Sequence, residues 1–272
     1  MPKLAMKMAN VRWEEFTAPD FACAVRQAKG VCVVPVSVIE KHGDHLPLGT
    51  DMFAGTEIAC RAARREGAIV FPPYYFGHIP EARHVPGTIA IQSPLMVNLL
   101  ENICDEIARN GLKKIVLLSA HGGNAFLRPF AKSMLDRERD YTVYLVDLMH
   151  YTHAKDPRWT KIMETSFDAH GGEGETSWIM AICPELVKKA KGNKGQPMKR
   201  LAHLPSLYTA IDWYADYPTH YAGDARPSTV EKGELLLKIR SENLAERIRA
   251  IRKDTVTPRL LKEFYARAKK PI

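Results

Sequence analysis

Three short stretches of this 272-residue chain concentrate side chains that bind metals or move protons. The first is Glu40-Lys-His-Gly-Asp-His45, followed by Asp51. The second is His121-Gly-Gly-Asn124, and the third is Asp168-Ala-His-Gly-Gly-Glu-Gly-Glu-Thr-Ser177. In extended backbone alternate side chains point the same way, so Glu40 and His42 project together. Asp51 can fold back toward them after the turn at 46–50. Carboxylates and imidazoles converging on one point are good ligands for Zn²⁺, Mn²⁺ or Fe²⁺. A single His at a strand end is more often a hydrogen-bonded rim residue. Three such clusters together are different, because burying so many acids requires cations to offset the desolvation cost. The joint pattern therefore points to a metal centre. HExxH is absent, which excludes that protease class, and no GxSxG elbow, Walker A loop or GxGxxG fingerprint occurs.

The elements around these stretches alternate. Apolar residues at helical spacing predict helices over 13–29, 50–66, 93–110, 124–137, 174–182 and 230–253. Short, β-branched apolar runs predict strands over 31–39, 68–71, 113–119 and 141–147. Gly30, Gly67 and Gly111 punctuate them. Strands alternating with helices imply βαβ units around a mostly parallel sheet. Ligands of such sheets bind beyond the carboxyl ends of the strands, and the first two acid/His stretches begin there. No Pro/Gly linker or internal repeat divides the chain, which reads as one domain over 1–272.

Composition narrows the class. With 46% hydrophobic and 26% charged residues the chain is ordinary globular usage, which excludes collagen-like and disordered readings. It has no run near the roughly 20 apolar residues that a membrane span requires. The N-terminus lacks an apolar signal core and a cleavage site, so a cytoplasmic protein is expected, with no membrane partner. The five cysteines, Cys23, Cys32, Cys60, Cys104 and Cys183, are widely spaced and form no CxxC pair. Buried free thiols are expected of them. The net charge of +8 raises the alternative of a basic, non-enzymatic nucleic-acid-binding protein. Its excess cations fall in two places, 188–200 and 247–270. The first has the look of a solvated loop and the second of an exposed helix face, so no nucleic-acid partner is expected.

The stretch Pro35-Val-Ser-Val-Ile-Glu-Lys-His-Gly-Asp-His-Leu-Pro-Leu-Gly-Thr-Asp51 resembles the signature of the creatininase (creatinine amidohydrolase) family. The similarity continues in order through Gly77, His84-Val-Pro-Gly-Thr88, His121-Gly-Gly-Asn124, His170-Gly-Gly-Glu-Gly-Glu-Thr-Ser177 and Glu231-Lys-Gly-Glu234. The resemblance implies an α/β three-layer sandwich, a mostly parallel central sheet flanked by helices. At the strand ends it implies two divalent ions per subunit, Zn, Mn or Fe. Glu40 and His121 would hold one ion, His42 the other, and Asp51 would bridge both. Creatininase carries a further ligand Glu two residues after the motif His, where this chain has Gly123. Glu173 is the expected substitute and Glu175 the fallback, with capping of the following helix as the other reading of Glu175.

A carboxylate-bridged metal pair holds a water whose pKa falls toward neutrality, and that hydroxide attacks a carbonyl carbon. His170 is the expected proton shuttle. His45 and His84 are expected to line the pocket or orient ligands, with loop packing as the alternative for His84. No Trp stands close before His170, where creatininase has one to cover creatinine; the neighbours here are Thr165-Ser-Phe-Asp-Ala169. A cyclic amide, formamide or related carbonyl of a small metabolite is the expected substrate. Hydrolytic ring opening of a cyclic ketone from sugar or inositol catabolism is the alternative. The family further implies a homo-oligomer, and Trp213, Tyr214, Tyr217 and Tyr221 read as a lid or an interface.

Overall fold

A computed structural model describes residues 8–147, 156–188 and 195–271. Its centre is a parallel sheet of four strands in the order β2-β1-β3-β4. The strands are β1 (Val31–Val36), β2 (Ile69–Val70), β3 (Lys114–Ser119) and β4 (Thr142–Asp147). Around it lie helices α1 (Ala18–Gln27), α2 (Thr50–Glu66), α3 (Ser93–Arg109), α4 (Leu127–Ser133) and α5 (Pro157–Thr160). They continue with α6 (Glu173–Ile182), α7 (Asp212–Asp216), α8 (Val230–Lys253) and α9 (Val256–Ala268). All six residues of β1 are buried, as a central parallel strand covered on both faces must be. No helix among the described residues is long and apolar enough to cross a membrane.

Two expected helices are shorter than their periodicity suggested, and proline accounts for the late start of both. The segment 13–29 splits into a 3-10 turn at Trp13–Glu15 and α1. Pro19 has no N–H to give to a preceding turn, so it stands in the first turn of α1, where Thr17 caps the helix. Pro129 acts the same way in 124–137, where a 3-10 turn at Asn124–Phe126 precedes α4. The thiols also divide. Cys32, Cys60 and Cys104 are buried, whereas Cys23 is exposed and Cys183 half-buried, because Cys23 falls on the outer side of α1. Of the basic stretch 188–200, residues 189–194 lie outside the described residues.

Strand register decides where the chemistry stands. Val36, the last residue of β1, pairs with Ser119, the last of β3, so the two loops emerge side by side. Asn124 ties them together, its Nδ2 donating to the Val36 carbonyl at 2.8 Å and its Oδ1 accepting from the His78 N–H at 3.3 Å. Helix α2 comes in close because residue 55 is glycine: a β-carbon there would stand 2.5 Å from the Ala120 Cβ. That approach sets Asp51, in the first turn of α2, beside the β3 loop. Helices α2, α6 and α8 pack against one another, which brings the first turn of α6 to the same place.

Candidate metal centre

The carboxyl ends of β1 and β3 deliver Glu40, His42 and His121 to one buried point, and α2 delivers Asp51. Their side chains are 0–6% exposed. His121 Nδ1 lies 2.8 Å from Glu40 Oε1 and 3.0 Å from Asp51 Oδ2. The other oxygen of Asp51, Oδ1, lies 3.2 Å from His42 Nε2, which is 3.7 Å from Glu175 Oε2. Three groups could hold an ion among the described residues: Glu40/Asp51/His121 and His42/Asp51/Glu175, between which Asp51 divides its two oxygens, and Glu40/His42/His170, whose His170 Nε2 is already engaged by the Lys41 carbonyl. The donors are carboxylate oxygens and imidazole nitrogens, which suit Zn²⁺, Mn²⁺ or Fe²⁺.

Glu40 Oε1 and Asp51 Oδ2 are buried and have only His121 Nδ1, at 2.8 and 3.0 Å, as a near polar neighbour. One ring nitrogen cannot satisfy two buried carboxylates, and a cation placed there would relieve both. Titration shifts point the same way. Burial of Glu40 is outweighed by the charge of His121 and by hydrogen bonds from His121 and His220, which hold its carboxyl well below the usual range. Burial of His42 is outweighed by Asp51 and Glu175, and its imidazole is pushed up to about 10. His121 is raised well above its ordinary value, its burial overcome mainly by Glu40 and Asp51. The surrounding carboxylates thus favour the protonated form of both imidazoles, and metal binding here would compete with those protons.

The third acid/His stretch splits among three tasks. Glu175, in the first turn of α6, is the one that reaches the centre; burial raises its carboxyl to about 7, and the Gly171 N–H donates to its Oε2 at 2.6 Å. Glu173, the expected ligand, does not reach it. Its carboxylate accepts from Lys232 Nζ at 2.5 Å, from the Thr165 N–H at 2.8 Å and from the Thr165 hydroxyl at 2.7 Å. Successive helical residues are about 100° apart, so Glu173 and Glu175 leave α6 in nearly opposite directions. His170 stacks on His42 with ring centroids 4.2 Å apart. Its Nε2 donates to the Lys41 carbonyl at 2.7 Å, which leaves Nδ1 as the nitrogen with a free lone pair. Burial and the charge of His42 lower its pKa to about 3.

His45 and His84 stand outside both ligand sets. His45 Nε2 bonds the Thr176 hydroxyl at 2.8 Å and so holds the start of α6. His84 bridges two loops, from the Glu81 carbonyl at 3.1 Å to the Pro218 carbonyl at 3.0 Å.

Sequence reasoning missed His220. Its Nε2 lies 2.6 Å from Glu40 Oε2, while its Nδ1 accepts from the Trp213 Nε1–H at 3.1 Å. Accepting at Nδ1 places the proton on Nε2, so His220 donates to Glu40. Trp213 and His220 line a cavity of about 300 Å³ together with Glu40, Glu81, His121, His170 and Glu175. The indole of Trp213 stands edge-on to His170 at 5.6 Å. The aromatic wall thus comes from α7, and Trp159 and Trp178, the tryptophans nearest His170 in sequence, are core residues.

Among known proteins, residues 14–248 match the family model described as creatininase, creatinine amidohydrolase. The creatinine amidohydrolase of Pseudomonas putida is 27% identical over 264 residues, covering 89% of this chain and 95% of that protein. The 3-dehydro-scyllo-inosose hydrolase of Thermotoga maritima is 27% identical over 224 residues, covering 74% and 71% respectively. A solved structure described as creatininase Mn superposes with a TM-score of 0.73 at 23% identity, covering 90% of this chain and all of that one.

Proposed function

The chain belongs to the creatininase family, and from that premise we propose that it is a binuclear metal-dependent hydrolase acting on an amide, formamide or related carbonyl of a small metabolite. The observation that carries the binuclear reading is the division of Asp51 between two ligand sets. Glu40 and His121 would hold one ion, His42 and Glu175 the other, and Asp51 both. Divalent ions held there supply a polarising Lewis acid and a water acidified toward neutrality.

The chain's own residues do the rest. His220 holds Glu40 in its orientation through a 2.6 Å hydrogen bond, as outer partners of ligands do. His170, neutral and with Nδ1 free, is placed on the cavity wall to accept a proton and return it to the leaving group. Its fixed Nε2–H···O=C bond to Lys41 keeps the ring in that orientation. Trp213 forms part of the cavity wall, edge-on to His170. Similarity to a hydrolase named for creatinine supports a C–N bond as the target, and similarity to one named for 3-dehydro-scyllo-inosose supports the alternative of a ring ketone.

The test is turnover. Protein loaded with Zn or Mn, screened against cyclic amides, formamides and ring ketones, is expected to hydrolyse members of the first two classes and to lose activity in chelator. His170→Asn is expected to cut kcat by about 10²- to 10⁴-fold with metal content intact. Turnover that persists in stripped protein would overturn the reading, and turnover of ring ketones alone would move it to the other carbonyl class.

A further inference from the structure

One carboxylate on the cavity wall belongs to neither ligand set. Glu81 lies half-buried in the 3-10 turn Pro80–Ala82 and lines the cavity beside His121 and Gly123. Its carboxylate makes no hydrogen bond or ion pair with any other described residue. Its backbone is nonetheless fixed, because His84 ties the Glu81 carbonyl to the loop at Pro218 that leads into His220.

Gly123 keeps the space between His121 and Glu81 free. A β-carbon on Gly123 would overlap His121 Nε2 and stand 3.2 Å from Glu81 Oε1; one on Gly122 would meet nothing within 4 Å. His121 Nε2, buried and without a partner, borders the same gap. The Glu81 carboxylate, with no ion pair among the described residues, and the Trp213 indole thus both line the cavity that a substrate bound at the ligand end would enter. A carboxylate without a cation of its own favours a charged N–H donor, and an indole favours a cation as well.

We infer that Glu81 is a specificity-determining residue that selects substrates carrying an ammonium group a few bonds from the scissile carbonyl. The inference rests on the hydrolase reading of the same cavity. An acyl group with a carboxylate in that position is disfavoured by the same residue.

Three hydroxamates of equal reach test it by calorimetry on Zn-loaded protein: β-alanine hydroxamate with an ammonium end, butyrohydroxamate with a methyl end and succinic monohydroxamate with a carboxylate end. The ammonium probe is expected to bind about tenfold tighter than the methyl probe, and the carboxylate probe more weakly than both. Glu81→Gln is expected to bring the ammonium-to-methyl ratio near one, and Glu81→Lys to favour the carboxylate probe. Equal binding of ammonium and methyl probes to the unmutated protein, or a preference that survives Glu81→Gln, would overturn the role of Glu81 and leave the metal centre standing. Failure of all three probes to bind would instead overturn the metal centre, and the role of Glu81 with it.

Discussion

Glu173 and Glu175 stand in the first turn of α6, both buried, and have opposite surroundings. Glu173 is saturated: a lysine, a hydroxyl and backbone N–H groups satisfy its carboxylate. Glu175 accepts one backbone N–H and otherwise faces His42 and Asp51, within a cluster whose other acids keep unsatisfied oxygens. Burial is common to both, so burial alone does not mark function. What separates them is whether a cation of the chain reaches the carboxylate, as Lys232 reaches Glu173 while also pairing with Glu164. An acid reached by a lysine holds two helices together, as Glu173 does between α6 and α8. Acids that share too few cations wait for one from outside.

The largest effect that would break this comparison is at Asp51. Asp51→Ala removes the shared ligand and is expected to weaken metal binding at both positions by at least about 10³-fold, with the fold retained by circular dichroism. Next is Glu173→Gln, which leaves Lys232 buried beside a neutral amide. Because Lys232 keeps Glu164 and the Pro227 carbonyl, the expected loss is about 2 kcal/mol of stability in urea unfolding, with metal content unchanged; a loss of metal instead would return Glu173 to the ligand set. His220→Ala releases Glu40 Oε2 and is expected to lower metal affinity by about 10- to 100-fold, with little change in stability.

The smallest effect concerns Asp168, the third acid of the same stretch. Its burial raises its carboxyl to about 6, although the Gly174 N–H donates to it. The folded pKa lies above the unfolded one, near about 4. Between those values the folded chain holds a proton that the unfolded chain releases, so this group's contribution to stability falls as pH rises from about 4 to about 6. Asp168→Asn is expected to flatten that part of the pH–stability curve by about 1 to 2 kcal/mol, read from urea unfolding of metal-free protein.

What was legible in the sequence follows from how each residue is positioned. Glu40, His42 and His121 sit just past apolar strands, where the strand-end rule already places ligands. Asp51 opens a helix of clear period. The choice between Glu173 and Glu175 needed the helix's exact rotation, and a start placed one residue late leaves that rotation undetermined. His220, Trp213 and Glu81 carry no period at all. They arrive through long-range pairing, such as the bridge between His170 and Ala222 and the His84 link between Glu81 and Pro218. His220 even adopts a left-handed backbone at φ 55°, uncommon for histidine. The late Glu231-Lys-Gly-Glu234 run gains its meaning only in three dimensions: Lys232 neutralises Glu173, and Gly233 lets α8 approach the Ser177 carbonyl closely.

The central claim is that the unsatisfied cluster, unlike the saturated one, holds a pair of metal ions. The most direct test is metal per chain by inductively coupled plasma mass spectrometry, on protein purified without chelator or a metal-binding tag and then offered Zn, Mn or Fe in turn. The account predicts about two equivalents per chain. A chain that takes up none of the three would contradict it, and uptake of about one would contradict the shared role of Asp51.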